Sequence, residues 1–427
     1  MTKPLNIAIA GLGTVGSGVA RLLTGNAAII AARGGRRMAL RAVLERDRKR
    51  ERGVDLSKLK WHDNLRGLAS DPTIDVVVEL IGGSDGVALD LARAALSSGK
   101  HVVTANKAML AHHGNELARL AAKNNVSLAF EAAVAGGIPI LKALREGLAA
   151  NRIERIYGIL NGTCNYILTQ MRDSGRDFGE VLKEAQKLGY AEADPSFDID
   201  GIDTAHKLAI LAAVAFGGPV DFKSVHVEGI RHVSALDIEF AEELGFRIKL
   251  LGLARPTAQG IESRVHACLV PRNAPIAHVE GVFNAVVVEG DFVGRVMLEG
   301  RGAGAEPTAS AVVADLIDIA HGRASIGLTP STAKPKAAPM ARHTGSYYVR
   351  LMVVDRPGVI AEIAGALRDE KVSMEQMIQR GRKPGEAVPV VLTTHDTVED
   401  SMRRALGRIA RLKTVREKPR MIRVETL

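Results

Sequence analysis

Only two cysteines, Cys164 and Cys268, occur in 427 residues, and they lie far apart. That excludes a disulfide scaffold and offers no metal-ligand spacing; a reduced intracellular compartment fits. Aromatic residues make up 4% of the chain, with a single tryptophan. There is little material for stacking bases, and no reader motif accompanies the basic residues, so no nucleic-acid partner is expected. Long hydrophobic runs are also missing. Val76–Ile81 and Leu208–Phe216 are too short to span a bilayer. The opening MTKPLNIAIAGLG lacks a charged region followed by a long apolar core. No membrane association and a cytoplasmic location are the expectations.

What is present is ordinary for a globular protein: 46% hydrophobic and 25% charged residues. The length exceeds what one hydrophobic core usually serves, so two or three domains are expected. The net charge of +9 owes much to a late cluster that includes Arg403, Arg404, Arg408, Arg411 and Lys413. A moderately basic protein suits anionic small molecules.

The N-terminal segment carries the first motif. Leu5–Ala10 has strand length and is followed at once by Gly11-Leu12-Gly13-Thr14-Val15-Gly16 and then a helical pattern. This is G-x-G-x-x-G in strand–turn–helix context. The first glycine allows the tight turn, the second lets a pyrophosphate approach, and the third lets helix and strand pack closely. Phosphate would rest on the helix N-terminus, where free N–H groups favour an anion. A second strand at Ala39–Leu44 is followed by Glu45, Arg46, Asp47, Arg48, Lys49 and Arg50. The acid favours a ribose hydroxyl, hence NAD; the arginines favour a 2′-phosphate, hence NADP, with Arg46, Arg48 or Arg50 as its partner. NADP is slightly preferred.

Strands at Asp75–Ile81, His101–Thr104 and Val126–Phe130, with a helix over Val87–Ser97, continue the alternation. Lys107 lies just past the carboxyl end of the His101–Thr104 strand, where open α/β sheets bind ligands. The small-residue segment Glu131–Pro139 then breaks the rhythm. Beyond it the pattern is mixed: a strand at Ile156–Leu160, a polar turn at Asn161–Asn165, a helix over Phe178–Leu188, and strands at Ile248–Leu253, Arg264–Val270 and Ala285–Glu289. Residues 301–308 form a second glycine-rich turn before a helix placed to cross back over the nucleotide domain.

Chemistry concentrates in GYAEADPSFDIDGIDTAHK, residues 189–207. An acidic run leads into a helix expected from Asp200 or Gly201, with an aspartate as N-cap, to Gly217. Asp203 and Lys207 stand at i and i+4 on the face continued by Ile210 and Val214, so the pair points inward. The plain alternative is a surface ion pair after an acidic loop.

Residues 329–344 are Pro/Ala/Lys-rich at their start and read as a linker. After them, strand Tyr347–Val354, helix Pro357–Glu370, strands Ser373–Arg380 and Val388–His395, helix Val398–Leu412 and strand Met421–Glu425 give a βαββαβ order. The expected architecture is α/β: a Rossmann-type doubly wound dinucleotide domain over 1–134, completed by a helix at 305–325; an α+β substrate and dimerisation domain over 135–304; and a βαββαβ domain over 345–427.

The segments GLGTVG (11–16), VVELIGG (77–83), TANKAML (104–110), FEAAVAGGIPI (130–140), GILNGTCNYIL (158–168), 188–211 and GRGAGAEPTASAVVADL (300–316) together resemble homoserine dehydrogenase of the kind carrying a C-terminal ACT domain. The tail resembles an ACT module more loosely, at Asp355–Val359 and in element order. No kinase-like segment precedes the glycine motif, so the fused aspartokinase form is not expected. The resemblance implies reversible reduction of L-aspartate 4-semialdehyde to L-homoserine by NADPH or NADH. It implies Lys207 as proton donor and acceptor, with Lys107 and Asp203 beside it. It implies substrate contacts at Gly189, Glu192, Asp198 and Asp203, with Glu192 on the substrate ammonium. Cofactor contacts follow at Gly11, Gly13, Thr14, Val15, Gly16, Thr104, Lys107 and Gly302, beside the Arg46 already noted. A monovalent cation, Na⁺ or K⁺, is implied on backbone oxygens of Glu131, Val134, Gly136 and Ile138. An amino-acid effector at the ACT-like domain and a homodimer or homotetramer are the expected partners. Another NAD(P)-dependent amino-acid oxidoreductase, or a non-catalytic dinucleotide sensor, is the competing reading.

Overall fold

The structure, a computed structural model, describes residues 3–323, 328, 336–380 and 385–427. Its N-terminal part, residues 5–129, forms a six-stranded parallel sheet in the order Lys60–His62, Met38–Leu44, Leu5–Ala10, Val76–Glu79, His101–Thr104, Leu128–Ala129. The order reverses beside Leu5–Ala10, which is where such sheets bind ligands. Lys107 follows the His101–Thr104 strand as expected, and the strand expected at Val126–Phe130 is shorter, Leu128–Ala129. The edge strand Lys60–His62 and the helices Ala27–Gly34 and Leu65–Ala69 carry too little periodicity to be read from sequence.

The first glycine turn is built as its spacing requires. Gly11 has φ +90°, and a Cβ there would lie 2.5 Å from the Leu80 carbonyl oxygen. A Cβ on Gly16 would lie 2.0 Å from the Gly11 oxygen, whereas one on Gly13 would meet nothing within 4 Å. Gly13 thus leaves open space above the N-terminus of the Thr14–Gly25 helix, whose first turn has no acid and no side-chain cap.

The late helix Ala305–Ala320 returns to the N-terminal sheet. Its Ala309, Val312, Val313, Leu316 and Ile319 are buried in one cluster with Ile7, Ile9, Val19 and Leu23. It ends at Ala320; the last two residues of the span 305–325 lie outside the described residues. No single helix among the described residues is long and apolar enough to cross a membrane. One pair, Thr14–Gly25 with Ala27–Gly34, passes such a test together but is bent by 82°.

The rest of the chain is one eleven-stranded mixed sheet. Strands Gly294–Arg301, Phe283–Gly290, Ile153–Ile159, Phe246–Thr257 and Gly260–Pro271 run antiparallel in that order. Arg420–Val424 then pairs parallel with Gly260–Pro271 through Cys268 and Leu269. Behind it follow Thr344–Val354, Ala387–Thr394 and Met374–Gln379, all antiparallel. With helices Val359–Asp369 and Glu399–Ile409 this gives the expected βαββαβ unit. Its sheet is continuous with that of the middle segment. Of the stretch read as a linker, 329–335 lies outside the described residues. Lys336 and Ala338 hydrogen-bond to both sides of Ile261, so that part is docked on a strand.

Candidate active site

The Ile202–Phe216 helix starts differently from the expectation of an aspartate cap. Its N-cap is Gly201, at φ +86° and without a side-chain bond. A Cβ there would stand 3.1 Å from Val265 and 3.2 Å from Val227, so packing as well as the left-handed backbone favours glycine. Asp200, freed from capping, is held by Arg231. The helix end is as read: Gly217 is left-handed at φ +69°.

This helix buries Asp203 at 3% exposure and Lys207 at 8%. Lys207 Nζ donates to Asp203 Oδ2 at 2.6 Å and to the Leu160 carbonyl at 2.7 Å. Lys107 Nζ, from the first turn of the Lys107–Lys123 helix, lies 3.1 Å from Asp203 Oδ1. One buried carboxylate therefore holds two amines that are a hundred positions apart in sequence. Asn161 adds a third contact: its Nδ2 donates to Asp203 Oδ2 at 2.9 Å and to Asp198 Oδ1 at 2.8 Å. Its own Oδ1 accepts from Cys164 N–H and so caps the Gly162–Ser174 helix. Sequence reasoning took Asn161 for a turn residue; its N-cap position was visible, but its second task was not.

Electrostatics follow from this packing. Burial pushes the Lys207 amine below its ordinary range and Lys107's charge adds to that, while Asp203 pulls the other way. Lys107 is raised: burial opposes its charge, but Asp203, Asp198 and Glu192 outweigh burial. Asp203, although buried, is held far below the usual carboxylate range by the two lysines. Asp198 is raised by burial and by the charge of Asp203. The site thus holds one amine biased toward release of its proton beside one fixed as a cation.

A single cleft exposes these groups to the nucleotide half. Its walls include Val15, Lys107, Gly136, Asp198, Lys207 and Gly302. Gly189, at φ +77°, also lines it, and Thr163 fixes the adjoining Tyr190 by donating to its carbonyl at 2.8 Å. The Gly302 turn needs its glycine, since a Cβ would fall 2.0 Å from Asn284 Nδ2. Asn284 and Arg301 also line the cleft and were not singled out from sequence.

Other expected residues stand further off. Glu192 is exposed. Thr104 turns its hydroxyl away to Glu79, at 2.6 Å. Gly11 shapes the turn from below, against Leu80. Arg46 is exposed past the second strand. Beside it Arg48 is tied to Asp63 and lies over the Trp61 ring. Glu45 accepts the Leu12 N–H at 2.7 Å, tying the acid to the glycine turn.

The segment expected to hold a cation bends sharply, with Ala135 at φ +55° and Gly136 at φ +54°. The carbonyls of Glu131 and Ile138 each accept one backbone N–H, from Val134 at 3.3 Å and Ile140 at 2.8 Å. Each keeps a second lone pair. The Glu131 carboxylate is occupied by the N–H groups of Leu141 and Lys142, both at 2.8 Å. Oxygen-only donors on a tight bend fit a hard monovalent cation, and a Cβ on Gly136 would lie 2.3 Å from the Gly302 carbonyl. The bend therefore abuts the Gly302 turn.

With this geometry established, three family models match the chain. One described as homoserine dehydrogenase covers residues 139–317, one described as the NAD binding domain of homoserine dehydrogenase covers 11–131, and one described as an ACT domain covers 347–413. A homoserine dehydrogenase of Neisseria gonorrhoeae is 48% identical, with 100% of this chain and 99% of that protein covered. One of Pseudomonas aeruginosa is 45% identical, with 100% of each covered. A solved homoserine dehydrogenase from Thiobacillus denitrificans superposes with a TM-score of 0.94 at 47% identity, covering 99% of this chain and 98% of that one. A hyperthermophilic archaeal homoserine dehydrogenase solved in complex with NADPH matches with a TM-score of 0.64 at 29% identity, over 74% of this chain and 97% of that one.

Proposed function

The chain belongs to the homoserine dehydrogenase family, and from that premise we propose that Lys207 moves the proton in its reaction. The protein is an oxidoreductase of the NAD(P)-binding Rossmann type that interconverts L-aspartate 4-semialdehyde and L-homoserine. When bound, the nicotinamide cofactor supplies or accepts the hydride. The residues of this chain must then manage the charge on one oxygen.

Reduction builds negative charge on the carbonyl oxygen, which needs a cation and a proton donor nearby. Lys207 is that donor, and in the oxidative direction its free amine takes the hydroxyl proton. Burial suits it to the task, because an ordinary lysine has a pKa near ~10.4 and holds its proton too firmly at neutral pH. Lys107 supplies the standing positive charge. Both oxygens of Asp203 are engaged, so we assign Asp203 to orienting the two amines. Asp198 and Glu192, with the Gly189 backbone, are assigned to the substrate ammonium. An arriving cation would relieve the repulsion that now raises Asp198.

On the cofactor side, Gly13, Thr14, Val15 and Gly16 receive the pyrophosphate and Gly302 closes the far wall. The arginine run after the second strand is assigned to a 2′-phosphate, and the relative solved with NADPH supports that choice. A monovalent cation on the backbone oxygens of Glu131, Val134, Gly136 and Ile138 would brace the bend against Gly302. We further propose an amino-acid effector at the C-terminal unit, a homodimer or homotetramer, and a cytoplasmic location that the two free, buried cysteines fit.

The single observation carrying this reading is the convergence of Lys107 and Lys207 on buried Asp203 in the cleft beside the glycine turn. A non-catalytic dinucleotide sensor leaves that group without a use. The test is homoserine oxidation assayed with NAD and NADP, with and without threonine. Turnover with homoserine and none with aspartate is expected; no turnover with either cofactor overturns the reading.

A further inference from the structure

The C-terminal unit makes a charged contact, buried on its own side and half-exposed at Glu228, with a short loop that carries no role so far. Arg423, on strand Arg420–Val424, is 1% exposed. Its Nη1 donates to Glu228 Oε2 at 2.8 Å and its Nη2 to Glu228 Oε1 at 3.1 Å. The same guanidinium binds Glu399, at the start of the unit's second helix, through Nε at 3.0 Å and Nη2 at 2.6 Å. Arg403 reaches Glu228 from that helix at 3.3 Å, and His226 lies 2.9 Å from it. Burial opposes the Glu228 charge, but His226 and Arg423 outweigh it and hold the carboxylate well below its usual range.

What Glu228 is attached to gives the contact its meaning. The next residue, Gly229, meets the segment after Asp198 backbone to backbone: a Cβ there would lie 2.1 Å from the Ile199 carbonyl oxygen and 2.5 Å from Asp200 Cα. Ile230 N–H donates to the same Ile199 carbonyl at 2.9 Å. Arg231 then grips the Asp200 carboxylate. The cap residue Gly201 packs 3.3 Å from the Glu228 carbonyl, measured from the Cβ it lacks. Residues 228–231 therefore clasp 199–201, between Asp198 and the helix that carries Asp203 and Lys207. No compressible side chain separates the two backbones at Gly229, so displacement at Glu228 passes on with little loss.

We propose that the Glu228–Arg423 pair is a positioning joint through which the C-terminal unit sets the place of Asp198 and of the start of the catalytic helix. The joint acts on the substrate end of the cleft, not on the glycine turn, which belongs to the other sheet. This rests on the reading of Asp198 as a substrate contact.

The experiment uses the full-length protein and steady-state kinetics for homoserine oxidation. Glu228→Gln and Arg423→Gln should each raise KM for homoserine by about 3- to 10-fold, the scale of one weakened hydrogen bond at the site. KM for NADP and kcat at saturating homoserine should stay within about twofold. The double variant should add little to either single change, as expected of partners in one contact. Arg423→Lys should restore part of the loss. An unchanged homoserine KM, or parallel changes in both KM values and kcat, overturns the proposal. Asp198→Asn is measured alongside: if it leaves homoserine KM unaltered, the substrate reading of Asp198 fails instead. Should Arg423→Gln not fold, the exposed Arg231→Gln puts the same question to the clasp, and an unchanged homoserine KM there overturns the joint equally.

Discussion

Lys207→Met is the most informative perturbation, because methionine nearly matches the length of lysine and carries no proton to give. The structural cost is bounded by what loses a partner. Asp203 keeps Lys107 at 3.1 Å and Asn161 at 2.9 Å, so its carboxylate is not orphaned. The Leu160 carbonyl loses the donor it had at 2.7 Å. Breaking a buried pair outright costs about 3–5 kcal/mol. With Asp203 still paired, roughly 1–3 kcal/mol is expected, the range for one unsatisfied buried acceptor. That is a modest drop in melting temperature. The catalytic cost is larger: a positioned acid–base group contributes about 10²- to 10⁴-fold, or roughly 3–5 kcal/mol of barrier. The assay is kcat for homoserine oxidation, with NADP affinity followed by fluorescence titration and folding by thermal melting. Cofactor affinity should hold, because the role proposed for Lys207 is toward the substrate oxygen. Lys207→Arg should rescue little, because a guanidinium does not release its proton. A kcat within about tenfold of wild type in Lys207→Met, or an active Lys207→Arg, would refute the proton role.

Four further outcomes can be checked. Asp203→Asn removes the charge that raises the Lys207 amine, so the rising limb of kcat against pH in homoserine oxidation should move to lower pH; a limb that stays put or moves up contradicts the assignment. His206, 4% exposed, is lowered to about 4 by burial and by His112 beside it. Its unfolded value is near ~6.5, so the unfolded chain takes up the proton first; stability is complete above that pH and lost as pH falls toward 4. The loss is about 3 kcal/mol at most. His206→Phe, placed among Phe197, Phe222 and His112, should shrink the fall in melting temperature between neutral and mildly acidic pH, leaving what buried His266 contributes. Removing the charges of Arg46 and Arg50 should raise KM for NADP by about 10- to 100-fold, the value of a charge-assisted hydrogen bond, with NAD affected little; equal effects on both cofactors would place the 2′-phosphate elsewhere. Glu192→Ala should raise homoserine KM with kcat nearly unchanged; a pure kcat effect would take Glu192 off the substrate ammonium.

Features whose physics is local can be read directly from the order of residues. The glycine turn needs only a strand, three glycines and a helix N-terminus in succession, and Gly11, Gly13 and Gly16 stand as their spacing demanded. Asp203 and Lys207 meet because one helical turn separates them. The βαββαβ order of the tail was legible from periodicity. Tertiary structure alone decided what joins distant segments. It brought Lys107 to Asp203 across a hundred residues, and it gave the cap residue Asn161 a second hold on Asp198 and Asp203. It merged the tail's sheet with that of the middle segment through Arg420–Val424, and it set Arg423 against Glu228. Strand pairing and buried ion pairs between such segments follow from how whole layers pack, and neighbouring residues in the chain hold no record of that.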